Sequence, residues 1–375
     1  MAASRRRRDG EAKDEGPSIL GKLVEEQAQQ DVADGSDVVA LFCGMKKSGK
    51  TSLIDRFINP TKEEKDIPKS TVALDYKYAR YTSDTSNSKT IAHIYDLGGD
   101  ESFDGLAAIP ASASSVRNLV VAITADLSEP HAVIPSVEKW ITTMRSQVEQ
   151  GLQALAAESA AGKARVEAMQ KERIEAYEAL ENQDRATPFP VQLVIFGTKC
   201  DALISDVDPE KRKGLCRALR YFAHMNGASL VFTSVKDKTA MNNMRNFLRQ
   251  ALFGVKATGK AALNDQLDPS KPLCVLAGKD SLQNIGAPTS SRGTGPAGWV
   301  DFVASLFPPN QAEKSVKKEG DRITEELAKY AEPSVDGMVE QRTEELHQYR
   351  RQVERNQRLA GEGLDAGKIG ALAAS

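Results

Sequence analysis

The sequence predicts an α/β domain with a mainly parallel sheet, on three observations. "GMKKSGKTS" (residues 44–52) satisfies the phosphate-loop pattern G-x-x-x-x-G-K-[ST]. It lies between an apolar run, "VVALFCG", and a stretch in which Leu53, Ile54 and Phe57 recur at helical spacing, so strand, glycine loop and helix follow in order. Further apolar runs, "IAHIYDL", "NLVVAITAD", "VQLVIFGTKCD" and "ASLVFTS", alternate with helical stretches, which is the texture of parallel strands covered on both faces.

The elements divide the chain into three parts. Residues 1–35 are charged and small, open with Arg5 to Arg8, and read as a flexible N-terminal arm. Residues 36–310 carry the sheet and its helices. A helical insertion interrupts the alternation at about 145–187: Ile141, Met144, Val148, Leu152 and Leu155 recur at three- and four-residue steps, as do Val166, Met169, Ile174, Tyr177 and Leu180 more loosely, with a hinge expected near Gly162. Beyond residue 255 come one more strand, a Gly/Ser/Pro linker, and "GWVDFVASLFPP", whose Trp299, Phe302, Val303, Leu306 and Phe307 share a helical face and read as core. Residues 311–375 form a charged helical tail, with Ile323, Leu327 and Tyr330 on one stripe, a break at Pro333, and Leu346, Tyr349 and Val353 resuming it.

Composition excludes several functions. Lys+Arg 50 against Asp+Glu 52 leaves a formal charge of -2, so no global field draws the chain to nucleic acid or an anionic membrane. Cys43, Cys200, Cys216 and Cys274 have neither C-x-x-C pairing nor a secretory leader and read as buried thiols in a reducing compartment. No apolar run approaches the roughly 20 residues of a membrane span, so no membrane insertion is expected. His93, His131, His224 and His347 are scattered without metal-ligand spacing.

The motifs carry phosphate and base chemistry. Glycines let a phosphate loop turn its N–H groups inward, and the following helix aims its positive end at the same charge. Gly44, Lys47, Ser48, Gly49, Lys50, Thr51 and Ser52 would supply this cradle, with Lys50 on the β- and γ-phosphates and Thr51 on Mg²⁺. Asp96 in "YDLGG" ends a strand where it could hold Mg²⁺, Gly99 completes D-x-x-G, and Thr71 sits where a switch threonine would lie. In "TKCD", Asp201 is placed to accept from guanine N1–H and N2–H₂ while repelling adenine, with Thr198 and Lys199 beside it. Ser234, Val235 and Lys236 of "FTSVK" would close over the other edge of the base; taken alone, Asp201 reads rather as a helix N-cap, and the ordered set of motifs favours guanine binding. Catalysis is not expected. Ras-like enzymes carry a water-orienting glutamine after D-x-x-G, and here the residue is the shorter, anionic Asp100. The fold class is therefore a Ras-like P-loop GTPase-type domain with a helical insertion and a helical C-terminal extension, holding GDP or GTP with Mg²⁺.

With these motifs stand longer strings: "TVALDYKYAR", "IAHIYDLGGDESF", "IPASASSVRNL", "DLSEP", "PFPVQLVIFGTKCD", "RYFAHMNGASLVFTS", "WVDFVASLFPP" and "YAEPSVDGMVEQRTEELHQYRR". Together they resemble the light intermediate chains of cytoplasmic dynein, most closely the form of dynein 2, the retrograde motor of intraflagellar transport. The resemblance implies a non-motor subunit that packs on the dynein heavy chain tail beside other dynein 2 subunits and the intraflagellar transport machinery. Its expected places are the cytoplasm, the cytoskeleton, and the cilium and its base. It carries over Gly44, Lys50, Thr51 and Asp201 as binding residues, while Asp100 speaks against a catalytic role. A working Ras-like switch is the main alternative. The dynein 1 subunit is the other, and the shortness of the tail after residue 310 counts against it.

Overall fold

The computed structural model describes residues 37–61, 66, 68–82, 89–178, 187–255, 263–289, 293–308, 334–335, 337–339 and 341–352. Contacts divide the chain into two units, Met1–Pro308 and Pro309–Ser375. In the first, seven strands form one sheet: β1 (Val38–Gly44), β2 (Leu74–Thr82), β3 (Lys89–Leu97), β4 (Leu119–Asp126), β5 (Gln192–Thr198), β6 (Ser229–Phe232) and β7 (Cys274–Val275), in the order β2-β3-β1-β4-β5-β6-β7. The central pairs β3/β1, β1/β4, β4/β5 and β5/β6 are parallel, and the outer pairs β2/β3 and β6/β7 are antiparallel.

The strand sequences explain this order. β1, β4 and β5 are buried along almost their whole length, as continuous apolar runs covered on both faces must be. Their side chains alternate between two cores: Leu41, Cys43, Val121 and Ile123 face one layer, Ala40, Phe42, Val120 and Ala122 the other. β2, "LDYKYARYT", is half-polar with exposed Tyr76 and Tyr78, which suits the sheet edge that it occupies.

One layer contains α1 (Lys50–Ile58) and α6 (Lys238–Phe253). There Phe42 stacks on Phe196 with ring centroids 6.1 Å apart, and Phe247 meets Phe196 edge-on. The other layer contains α2 (Pro130–Glu158), α5 (Pro209–Met225) and α8 (Pro296–Leu306), around buried Trp140 and Trp299. Between these lie α3 (Ala160–Glu178), α4 (Cys200–Asp206) and α7 (Leu282–Ile285). The aromatic stripe of α8 is core: Trp299 packs 5.4 Å from Tyr221 of α5, under the Arg217 guanidinium.

The insertion grows out of a core helix, since α2 runs 29 residues without interruption. It breaks at Ser159, whose φ of -162° and ψ of 160° are extended, three residues before the expected hinge at Gly162. Gly162 instead lies inside α3, where a Cβ would meet the Leu155 carbonyl oxygen at 2.2 Å. Val166 is buried against α2, but Ile174 is 48% exposed, so the looser of the two sequence stripes does not bury along its length. Leu180 lies outside the described residues.

A buried, bidentate ion pair fastens the C-terminal part of this unit. Arg220 Nε and Nη2 of α5 donate to Asp280 Oδ2 and Oδ1 at 2.6 and 2.7 Å. All four cysteines are free and buried, and burial pushes the Cys200 and Cys216 thiols up to about 12. In the second unit residues 341–352 are helical, with Leu346 and Tyr349 exposed. The N-terminal arm with Arg5 to Arg8, the stripe of Ile323, Leu327 and Tyr330, Pro333 and Val353 lie outside the described residues. Among the described residues no helix is long and apolar enough to cross a membrane.

Candidate nucleotide-binding site

The motif residues collect at the C-terminal ends of β1, β3, β4, β5 and β6, where an open parallel sheet places its loops. Gly44 closes β1 at φ 145°, pressed so tightly against β4 that a Cβ would lie 2.3 Å from Thr124 Oγ1. Lys47 and Gly49 then take left-handed conformations, φ 66° and 90°, and curl the loop back on itself. Ser48 is buried beneath that loop: its Oγ lies 2.7 Å from Thr124 Oγ1, which donates to the Cys43 carbonyl at 3.1 Å. Thr198, at the end of β5, donates to the Ser48 carbonyl at 2.7 Å. Ser48 and Thr198 thus hold the loop's shape from below.

Lys50 opens α1 and is only 5% exposed. Its Nζ donates to the Gly44 and Met45 carbonyls, both at 3.0 Å, so the ammonium lies across the loop with one of its three N–H groups uncommitted. Burial lowers its pKa, against the opposing charge of Asp96. Asp96, at the end of β3, is 1% exposed. Its Oδ2 accepts from Thr51 Oγ1 at 2.5 Å and Thr71 Oγ1 at 2.7 Å, while its buried Oδ1 has no hydrogen-bond partner among the described residues. Burial raises this carboxyl's pKa, and the two threonine bonds only partly offset it. Hydroxyls that donate their protons to Asp96 keep lone pairs for a cation, and an orphaned carboxylate oxygen beside them is the hard-oxygen chemistry that Mg²⁺ takes. The residues present therefore fit a phosphate-bound Mg²⁺. Gly99 abuts the loop so closely that a Cβ would meet Lys46 N at 2.2 Å.

Asp100 does something else. It caps the helical turn Glu101–Ala108, its Oδ1 accepting from Ser102 N at 2.9 Å and Ser102 Oγ at 2.6 Å. Those bonds hold its carboxyl below the usual range.

At the base end, Lys199 takes a left-handed conformation, φ 55°, at the N-cap of α4, and its Nζ pairs with Asp126 of β4. Asp201 is therefore not the cap; it sits in the first turn of α4. Its two oxygens engage Ser234 Oγ at 2.6 Å and Lys236 Nζ at 3.0 Å. Burial works against its charge, but Ser234 and Lys236 together outweigh it and leave its pKa lowered. Val235 is partly exposed beside them. Two adjoining cavities of about 380 and 370 Å³ lie over these residues, the first at the phosphate loop and Thr71, the second at Thr198 to Asp201 and Ser234 to Lys236; they share Gly49, Ser52 and Pro68. A larger groove of about 760 Å³ runs along β2 and the end of α6 and includes no motif residue. Among the described residues no cluster of three or more His, Cys, Asp or Glu could hold a metal ion.

Sequence reasoning missed Thr124 and Asp126, which tie β4 into the site, and Lys69, which lines its phosphate end. "TAD" at the end of an apolar run carried the only signal for the first two.

Two family models match the chain: "Ras of Complex, Roc, domain of DAPkinase" over residues 40–158, and "Dynein light intermediate chain (DLIC)" over 180–286. The cytoplasmic dynein 2 light intermediate chain 1 of Danio rerio is 35% identical over 338 residues, covering 88% of this chain and 89% of the relative. That of Homo sapiens is 32% identical over 336 residues, 86% and 90% of the two chains. The cytoplasmic dynein 1 light intermediate chain 1 of Rattus norvegicus is 23% identical over 272 residues, with half of the relative covered. The crystal structure of the conserved domain of a dynein light intermediate chain superposes with a TM-score of 0.51 at 16% identity, over 73% of this chain and 92% of that one, a likeness of fold. The domain is thus a Ras-like α/β fold, and the chain belongs to the cytoplasmic dynein light intermediate chains, in their dynein 2 branch.

Proposed function

We propose that the chain is a non-catalytic accessory subunit of the dynein 2 motor, binding and stabilising the tail of the dynein heavy chain, with a guanine nucleotide as a folding ligand. Through that role it supports retrograde intraflagellar transport and cilium assembly, in the cytoplasm and at the cilium and its base. Gly44 to Ser52 would cradle the phosphates, with Lys50 neutralising them. Thr51, Thr71 and Asp96 would hold Mg²⁺, and Gly99 would close on the phosphates through its N–H. Thr198, Lys199, Asp201 and Ser234 to Lys236 would read the base. Bound there, the nucleotide supplies free energy that favours the native state over the unfolded one.

The observation that carries the non-catalytic reading is Asp100. Where a hydrolysing Ras-like domain presents a glutamine to the attacking water, this chain presents a carboxylate committed to Ser102. The test is native purification followed by identification of the released nucleotide and a single-turnover hydrolysis assay. A guanine nucleotide and a rate no higher than about 10⁻⁴ per second are expected. Release of ADP would overturn base recognition. A rate about a hundredfold higher, abolished by Lys50→Ala, would restore the switch reading.

A further inference from the structure

The phosphate end of the cavity concentrates positive charge with no carboxylate among the described residues that line it. Four lysines do line it, Lys46, Lys47, Lys50 and Lys69. Lys46, Lys47 and Lys69 make no hydrogen bond or ion pair with any described residue, although lysines elsewhere do: Lys77 with Asp55, Lys199 with Asp126, Lys236 with Asp201. Of the nearby acids, Asp96 is buried beneath Thr51 and Thr71, and Asp100 is tied to Ser102. The Lys46 charge helps hold the Asp100 carboxyl low, after the Ser102 bonds.

Placement sharpens this. Lys50 bridges the loop carbonyls, from where the motif's lysine reaches the β- and γ-phosphates. The Lys46 backbone abuts Gly99, the D-x-x-G glycine whose N–H such folds aim at a third phosphate, and both residues line this cavity. Lys69 comes from the other wall, two residues before Thr71. Like charges gathered in one cavity repel until a polyanion enters, and each further phosphate adds to the attraction.

We propose that Lys46 and Lys69 are ligands of a terminal phosphate and that they make this site select a nucleoside triphosphate over the diphosphate. The proposal rests on the guanine-nucleotide reading and deepens it: the folding ligand is GTP, clasped from both walls and not turned over. Lys69 draws in the segment carrying Thr71, so release of the γ-phosphate would loosen that segment.

The test uses the full-length chain freed of nucleotide, with GDP and the slowly hydrolysed GTPγS as probes and calorimetry as readout. The wild type is expected to bind GTPγS at least about tenfold tighter than GDP. Lys46→Gln with Lys69→Gln is expected to bring the two within about threefold, mostly by loss of GTPγS affinity. Equal affinities in the wild type, or equal losses for both probes in the double variant, would overturn the proposal. Inorganic tripolyphosphate and pyrophosphate separate it from the base reading: a tripolyphosphate preference abolished in the double variant sustains the lysine assignment even where guanine and adenine bind alike. No such preference removes it. Both lysines are exposed, and unchanged thermal melting of the variants verifies that the fold is intact.

Discussion

Asp96 lies at the end of β3 and Asp201 just beyond β5, yet their surroundings move their carboxyls in opposite directions. Burial dominates at Asp96 and raises its pKa; at Asp201 the donors Ser234 and Lys236 overcome burial and lower it. The consequences for stability have opposite signs. A depressed folded pKa gives stability that is present above the ordinary aspartate range and lost as pH falls through the folded value, so the Asp201 contribution disappears in acid. A raised folded pKa means that the ionised group opposes folding at neutral pH, and protonation relieves Asp96 as pH falls. Asp96→Asn, which keeps an acceptor for Thr51 and Thr71, is therefore expected to raise the melting temperature in EDTA while abolishing the gain in nucleotide affinity that Mg²⁺ confers. Thermal scans with and without the metal measure both. Asp201→Asn is expected to reduce the preference for GDP over ADP by about tenfold or more, read by competition binding, because an amide can no longer accept two N–H bonds. Asp100→Ala should cost about 1 kcal/mol through the lost cap and leave the hydrolysis rate unchanged, which denaturation and single-turnover assays determine.

Arg220 on α5 and Asp280 just before α7 connect elements that share no strand, and both side chains are more than nine-tenths buried. Removing one partner of such a pair strands the other charge, so Arg220→Leu is expected to cost about 3–5 kcal/mol in urea denaturation. Combining it with Asp280→Leu should recover most of that, since an apolar pair of similar size often matches a buried ion pair. Elements of this kind mark the limit of what the chain reveals as a string. The phosphate loop, D-x-x-G and the buried strands were legible because each is a local pattern: glycines at fixed offsets, or an unbroken apolar run. β2 was not singled out as a strand, because "LDYKYARYT" follows edge-strand chemistry, with charges and tyrosines in place of a run of valine and isoleucine. The Ser48 to Thr124 contact spans 76 residues and that of Lys199 with Asp126 spans 73, and no spacing rule reaches that far. The hinge at Ser159 was misplaced onto Gly162 because glycine is the expected helix breaker, whereas the break follows from where α3 must turn to bury Val166 against α2.

As a whole, the first unit depends on a ligand if its site is occupied in the cell. A ligand that binds only the native state adds about 4 kcal/mol when its free concentration is a thousand times Kd, against a typical stability of about 5–15 kcal/mol. Lys50→Ala is therefore expected to lower the steady-state level of the subunit and of its heavy chain together, leaving short cilia swollen with uncleared cargo. Overproducing the variant should restore part of the function; quantitative blotting and cilium length measure the two effects. The pairing of β6 sets a further condition on when that ligand can act. The loop that would grip the base, Thr233 to Lys236, hangs from a four-residue strand whose outer neighbour is the short β7, joined through Phe232 N to the Leu273 carbonyl at 2.8 Å. A ribosome delivers the phosphate loop early and Leu273 only after some two hundred further residues, at about 5–20 residues per second. Once β6 has emerged, and until Leu273 follows, it stands as an open edge. Premature termination before residue 273 is therefore expected to leave β6 an open edge and the base-gripping loop without its outer support, read as faster proteolysis of the truncated product than of the full chain.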